Sequence, residues 1–357
     1  MNAHARHTPS ASRFAPHRSA GVSLIEVMVA IVIGLFLLGG VTQVYLVSKQ
    51  TYRFQEDLAR LQESGRFALE ILTKDLRMAG YIGCTTAAAF ANTIAGAPGD
   101  WRFDFSRAIY GYDNGPSGFP SEFQGDVHSG TDSLVVMRGD SDQSYLVKNQ
   151  ASATAPIELA AAHNLAQGDA VLVTDCVQSA LFRKSGTSTT EVEHATGTNC
   201  DGRLGGTYDC DDVSTAINYS YGPDAKVLGT SIKAYYVGDS EEPNVPALFR
   251  ERLLAAGTTQ AEELVQGVEN LQVLFGVDTD LAAPDGVANQ YKSASAVSAA
   301  EWPNVVSVRI ALLLRSANEV ASSPQNYWYQ DASHAPGDRY LRREFAATVR
   351  LRNRGLL

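Results

Sequence analysis

The stretch from Val22 to Ser48, VSLIEVMVAIVIGLFLLGGVTQVYLVS, contains a single charged side chain, Glu26. As a helix it is long enough to cross the ~30 Å hydrocarbon core of a bilayer. Residues 1–21 before it carry Arg6, Arg13 and Arg18 and no acid. By the positive-inside rule this basic leader stays cytoplasmic and the chain beyond Lys49 is exported. In an ordinary secretory signal, the small-residue cleavage site follows the apolar region. Here the small-residue site, Gly21/Val22, precedes it, so cleavage would leave the apolar helix on the mature chain.

Export into an oxidising space bears on the four cysteines, Cys84, Cys176, Cys200 and Cys210, which form no C-x-x-C pair. Their spacing favours disulfides over a zinc site. Four cysteines allow three pairings, of which Cys84–Cys176 with Cys200–Cys210 is the most economical. The formal net charge of -10 and pI near 5.2 argue against nucleic acid as a partner, because phosphate backbones are held mainly by clustered Lys and Arg.

Past the apolar run, Val44, Val47, Thr51, Phe54, Leu58, Leu61, Gly65, Ala68, Leu72 and Leu76 recur at steps of three and four. That spacing predicts a helix continuing to about Gly80 with one mainly apolar stripe. Glu56/Arg60, Glu70/Lys74 and Glu63/Arg66 are spaced to pair along its surface. Residues 85–130 read as a long loop whose aromatics, Trp101 to Tyr112, pack on the core. Strands are expected at Ser133–Arg138, Ala170–Thr174, Ile217–Tyr221, Ser231–Val237 and Ala247–Glu251. In 262–280, Leu264, Val268 and Leu271 suggest a short helical face, followed by a strand over Gln272–Asp278. Alternation of Val306, Val308, Ile310, Leu312 and Leu314, and of Leu341, Phe345, Ala347, Val349 and Leu351, predicts two more strands, with Arg309, Arg315, Arg350 and Arg352 on a solvated face.

The expected fold is therefore α+β: a long N-terminal helix, membrane-spanning in its first half, packed on a domain of mainly antiparallel β-sheet. Its divisions are a leader (1–21), a membrane helix (22–48), a helical continuation (49–80) and a β-rich domain (81–357).

The seven histidines are scattered, three of them in the leader, and the chain has no G-x-S-x-G, H-E-x-x-H or phosphate loop, so an enzyme is not expected. One acidic run, Asp278-Thr-Asp280-Leu-Ala-Ala-Pro-Asp285-Gly286, is a weak calcium candidate whose spacing departs from D-x-D-x-D-G. No other cofactor is expected.

Gly21-Val-Ser-Leu-Ile-Glu26-Val resembles the class III prepilin signal of type IV pilins and type II secretion pseudopilins. The resemblance implies that a prepilin peptidase cuts after Gly21 and methylates the amine of Val22. It also implies that Glu26 docks against the free terminal amine of a neighbouring subunit. Val22 departs from the commoner Phe or Met. RMAGYIGC (77–84), TDSLVVMRG (131–139), TDCVQSALF (174–182), EELVQGVENLQVLFGVDTD (262–280) and WPNVVSVRIALLLRS (302–316) are similar to segments of PilW-type minor pilins, which share their plan with the pseudopilin GspJ. This implies an inner-membrane protein with a periplasmic domain. Its implied role is to join other minor pilins in a priming complex for the major pilin, and to present a PilY-type adhesin at the tip for twitching motility and adhesion. A type II secretion minor pseudopilin is the alternative.

Overall fold

The computed structural model describes residues 21–83, 89–105, 107–115, 117–123, 126–254, 258–280 and 285–353. The leader up to residue 20 and Cys84 lie outside them. The architecture is α+β, with one long helix, α1 (Leu24–Met78), followed among the described residues by strands, turns and single turns of 3-10 helix.

Contacts divide the chain within α1, into a unit ending at Arg53 and a unit starting at Phe54. The first contains the apolar half of the helix. Its large side chains are exposed, among them Leu24 at 79% and Phe36 at 79%, and among the described residues nothing buries its apolar stretch. A helix apolar on every side and covered by nothing has the length and composition of a membrane span.

The second unit starts with the remaining turns of α1, which bury Asp57, Leu61, Gly65, Ala68, Leu72, Asp75 and Leu76 along one stripe. Leu72 and Leu76 are fully buried, each contributing about 1.5–3 kcal/mol by removal from water. Of the expected stripe, Val44, Val47 and Thr51 are exposed; they precede this unit. The Glu56–Arg60 pair closes at 2.7 Å on the opposite, exposed side.

The strands follow in chain order: β1 (Ala89–Asn92), β2 (Ile109–Tyr112), β3 (Ser133–Gln150), β4 (Ile157–Leu159), β5 (Ala170–Thr174), β6 (Gln178–Arg183), β7 (Glu191–Val192), β8 (Gly205–Gly206), β9 (Ala216–Ile217), β10 (Lys226–Asp239), β11 (Pro246–Leu253) and β12 (Thr259–Gln266). Apart from β8 and β9, which pair with each other, these make one ten-stranded sheet. Its path is β1-β6-β5-β10-β3-β4-β7, with β2 on β3, β11 on β10 and β12 on β11. The β1–β6 pair is parallel and the others are antiparallel.

A second sheet, of four strands, is ordered β14-β13-β15-β18 from β13 (Val268–Val277), β14 (Gln290–Lys292), β15 (Val305–Glu319) and β18 (Tyr340–Arg350). Between β15 and β18 the hairpin β16 (Tyr327–Tyr329) and β17 (Ala332–His334) lies over the outer face of this sheet, where the Tyr329 hydroxyl donates to Asn270 Oδ1 at 3.0 Å. Inward residues of β13, β15 and β18 form the main core with the buried stripe of α1. The contact is tight at Gly65, where a Cβ would lie 2.5 Å from the Phe345 ring of β18.

Three expectations are corrected. The helical face at Leu264, Val268 and Leu271 is strand on both sides of Gly267. That glycine has φ +81°, and its N–H donates to Pro246 O at 2.7 Å while its carbonyl accepts from Arg315 N at 2.8 Å. A single residue thus carries the chain from the large sheet into the small one, and a Cβ there would meet Arg315 O at 2.7 Å. The three-residue apolar spacing is the sum of two strand patterns in different sheets. The strand expected at Ile217–Tyr221 is only β9; Tyr221 turns inward instead, its hydroxyl donating to Leu204 O at 2.9 Å. The stretch read as a loop over 85–130 supplies β1 and β2 to the large sheet. Its aromatics do pack inward, Trp101 edge-on to Tyr110 at 5.7 Å within a buried cluster that includes Phe103, Phe105 and Phe123.

Candidate functional site

At the N-terminus the chain enters α1 through Ser23. Its Oγ accepts from Glu26 N at 3.3 Å and its carbonyl from the same N–H at 3.1 Å. Ser23-Leu-Ile-Glu26 is the S-x-x-E spacing of a capping box, a signal present in the sequence and not used in the reading above. It starts the helix two residues after Val22 and so leaves Gly21 and Val22 outside the helix and exposed. A Cβ on Gly21 would meet nothing within 4 Å. Glu26 is exposed in the first turn, favourable for an acid next to the helix N-terminus, and among the described residues its carboxylate makes no ion pair.

The second feature is a buried ionic cluster where the last turns of α1 meet the large sheet. Asp75, 5% exposed, accepts from Lys233 Nζ at 2.8 Å and from the Tyr235 hydroxyl, with Arg138 Nη2 at 3.7 Å. Burial pushes the Asp75 carboxyl up, but the hydrogen bonds from Lys233 and Tyr235 and the charges of Lys233 and Arg138 outweigh it and hold the carboxyl below its ordinary value. Burial pulls the Lys233 ammonium down against the hydrogen bond and charge of Asp75. The Asp75 carboxylate therefore ties α1 to β3 and β10 at once.

Two further carboxylates, absent from the sequence reading, fasten the sheets to each other. Asp132 accepts from Asn114 N at 3.1 Å and Val273 N at 2.9 Å, and Asp113 from Ala294 N at 3.0 Å and Ser295 N at 2.8 Å. Burial drives Asp132 above the usual carboxylate range. For Asp113 burial acts the same way, but its hydrogen bonds to Ser295, Ala294 and Ser293 bring the carboxyl below it. A sequence signal exists in outline, since aspartates beside Gly and Asn mark turns, but their partners are distant in the chain.

Cys200 and Cys210 form a disulfide across a loop of the second unit. Closing so short a loop stabilises by about 2.5–3 kcal/mol in the chain-entropy treatment. Cys176 sits in the β5–β6 turn at φ +73° and is disulfide-bonded. The Cys84–Cys176 pairing falls on Cys84, outside the described residues. Non-reducing peptide mapping is expected to recover Cys200–Cys210 and Cys84–Cys176 linked, with no alkylation before reduction. Labelling of any cysteine in the unreduced protein would contradict the pairing.

Among the described residues the carboxylates of the acidic run are engaged by nearby backbone and side-chain groups. Asp278 is buried, with Oδ1 accepting from Asp280 N at 3.0 Å and Oδ2 from Gly286 N at 2.9 Å, while Asp285 accepts from Val287 N at 2.8 Å. Asp280 faces Asn289 Nδ2 at 3.2 Å. Each carboxylate serves the turns around it, and among the described residues no three His, Cys, Asp or Glu side chains are grouped to hold an ion. Of the arginines expected on a solvated face, Arg309 is exposed and lies 4.3 Å from the Tyr291 ring. Arg315 instead pairs with Glu269 at 3.4 Å, and neighbouring Arg342 reaches Glu269 and Asp338, both at 2.6 Å.

An exposed glycine, a capped helix start with an acid in its first turn, and an apolar helix that no described residue covers stand together at the N-terminus. Residues 16–42 match the prokaryotic N-terminal methylation motif, and residues 234–353 match the family described as type IV pilus-assembly protein W. The PilW match thus lies behind a methylation-motif match, a combination consistent with a type IV pilin-like protein, and the region matched includes β13, β15 and β18, the strands on which α1 packs. No curated protein and no solved structure matches the chain.

Proposed function

We propose that the chain is a minor pilin that joins other minor pilins in an inner-membrane complex priming type IV pilus growth. In this reading a prepilin peptidase removes the leader after Gly21 and methylates Val22. The apolar half of α1 stays in the inner membrane, and the unit from Phe54 onward lies in the periplasm. Glu26 meets the terminal amine of a neighbouring subunit. The complex then receives the major pilin and remains at the tip, presenting a PilY-type adhesin for adhesion and twitching motility. The chain acts as a structural subunit and performs no catalysis.

The observation that carries this reading is the exposed Gly21 set immediately before a capped apolar helix that no described residue buries, ahead of a region that matches the PilW family. N-terminal sequencing and mass spectrometry of the membrane fraction test it. The expected mature chain begins at N-methylated Val22 and remains membrane-bound. An intact Met1, or a chain beginning after residue 45, would overturn the reading.

A further inference from the structure

In a chain of net charge -10, one face of the second unit is cationic. A groove of about 700 Å³ runs between the last turns of α1 and strands β3, β10 and β11, lined by seven cationic side chains and four carboxylates. Its floor holds Arg138 and Lys233, whose shared acid Asp75 is already engaged by Tyr235 as well. Arg138 is 8% exposed, and its buried Nε has no hydrogen-bond acceptor. On the walls, Lys74, Arg77, Arg252 and Arg352 are exposed, and among the described residues none makes a side-chain ion pair. Asp140 and Arg252 also line a second cavity, of about 340 Å³, with Asp169, Arg183 and an Arg102 already paired with Asp100. The two cavities are adjacent through Asp140 and Arg252, and the wider one, with seven cationic side chains to four carboxylates, is a positively charged trough.

We infer that this trough binds an extended acidic polypeptide segment presented by a neighbouring subunit. The inference rests on the reading above and names the chemistry of the partner. Four exposed cations without ion pairs around one groove, Lys74, Arg77, Arg252 and Arg352, match carboxylates spaced along a chain; a single small anion would leave most of them unused. Among the described residues the wider groove has charged walls, with Ile71 and Met78 as its large apolar side chains, so it offers little to the acyl chains of a lipid. Such contacts act strongly on encounter rate and specificity, and they are screened by salt.

The test uses the full chain in non-ionic detergent and a fluorescein-labelled octaglutamate peptide, read by anisotropy, with a Gly-Ser peptide as control. The wild type is expected to bind octaglutamate at low salt and lose it as salt rises. The Lys74→Ala, Arg252→Ala, Arg352→Ala triple variant should bind roughly tenfold more weakly, the sum of three modest exposed contacts. Because these side chains are exposed, its thermal melt should match the wild type, and the charge-preserving Lys74→Arg, Arg252→Lys, Arg352→Lys variant should retain binding. Absence of wild-type binding, or equal affinity of the wild type and the alanine variant, overturns the inference. So does a larger effect of the three substitutions on binding to phosphatidylglycerol micelles than to the peptide, which would make the trough a membrane site. Processing before Val22 and dependence on Glu26 do not involve these residues, so failure here leaves that reading standing and is read out separately.

Discussion

Glu26→Ala is expected to leave leader cleavage and membrane insertion intact while reducing surface pili at least about tenfold in a strain lacking the native copy. Alanine does not lower the hydrophobicity of the span, and the backbone cap from Ser23 does not need the Glu26 side chain: the hydrogen bond there is donated by the backbone N–H of residue 26. What is lost is a carboxylate in the first turn of a helix whose apolar stretch is exposed among the described residues. In a bundle of such helices the amine of a neighbouring subunit would be left without its counter-charge. Breaking a buried pair by removing one partner costs roughly 3–5 kcal/mol. That is more than the 1.4 kcal/mol that corresponds to tenfold in an equilibrium. Pilus counts by electron microscopy, with immunoblots for the processed form, check the result. Wild-type piliation by a normally processed Glu26→Ala protein would count against the proposed docking. Loss of cleavage would assign Glu26 to peptidase recognition instead.

The second large effect is expected at Asp75. Asp75→Ala leaves Lys233 and Arg138 beside each other with their shared carboxylate gone, and deprives the Tyr235 hydroxyl of its acceptor. The expected destabilisation of the globular unit is about 3–5 kcal/mol, a large share of the 5–15 kcal/mol that holds a typical domain. Because the folded carboxyl is held below its ordinary value, its stabilisation is fully present above the usual carboxylate range and is lost as pH falls through the lowered value. The wild type should therefore lose stability on acidification below about pH 4, and the variant should lose less over the same interval. Denaturant titration of the full chain in detergent, followed by tryptophan fluorescence at neutral and acid pH, provides the measurement. An unchanged midpoint at neutral pH would show that the cluster does not hold α1 on the sheet.

What could be read from residue order is the set of features whose physics is local. The apolar run with Glu26, the basic leader and Gly21 need only nearest neighbours and a bilayer to be interpretable. So do the alternations in β15 and β18, since a strand half-buried in a sheet repeats every two residues. The buried half of α1 was legible for the same reason, its stripe recurring at helical spacing.

Elsewhere the outcome depended on partners far away in the chain. Lys233 and Tyr235 reach Asp75 across 158 and 160 positions, and neither periodicity nor composition records such a pair. The division into two sheets turns on Gly267, whose N–H is bound to Pro246 and whose carbonyl is bound to Arg315; read locally, the residues around it imitate a helical face. The cationic trough has the same origin, assembled from α1, β3, β10, β11 and the segment after β18 in a chain whose overall charge is acidic. Local repeats arise from backbone geometry and survive in one dimension, whereas a charge cluster or a sheet boundary exists only once folding has brought distant residues within reach of one another.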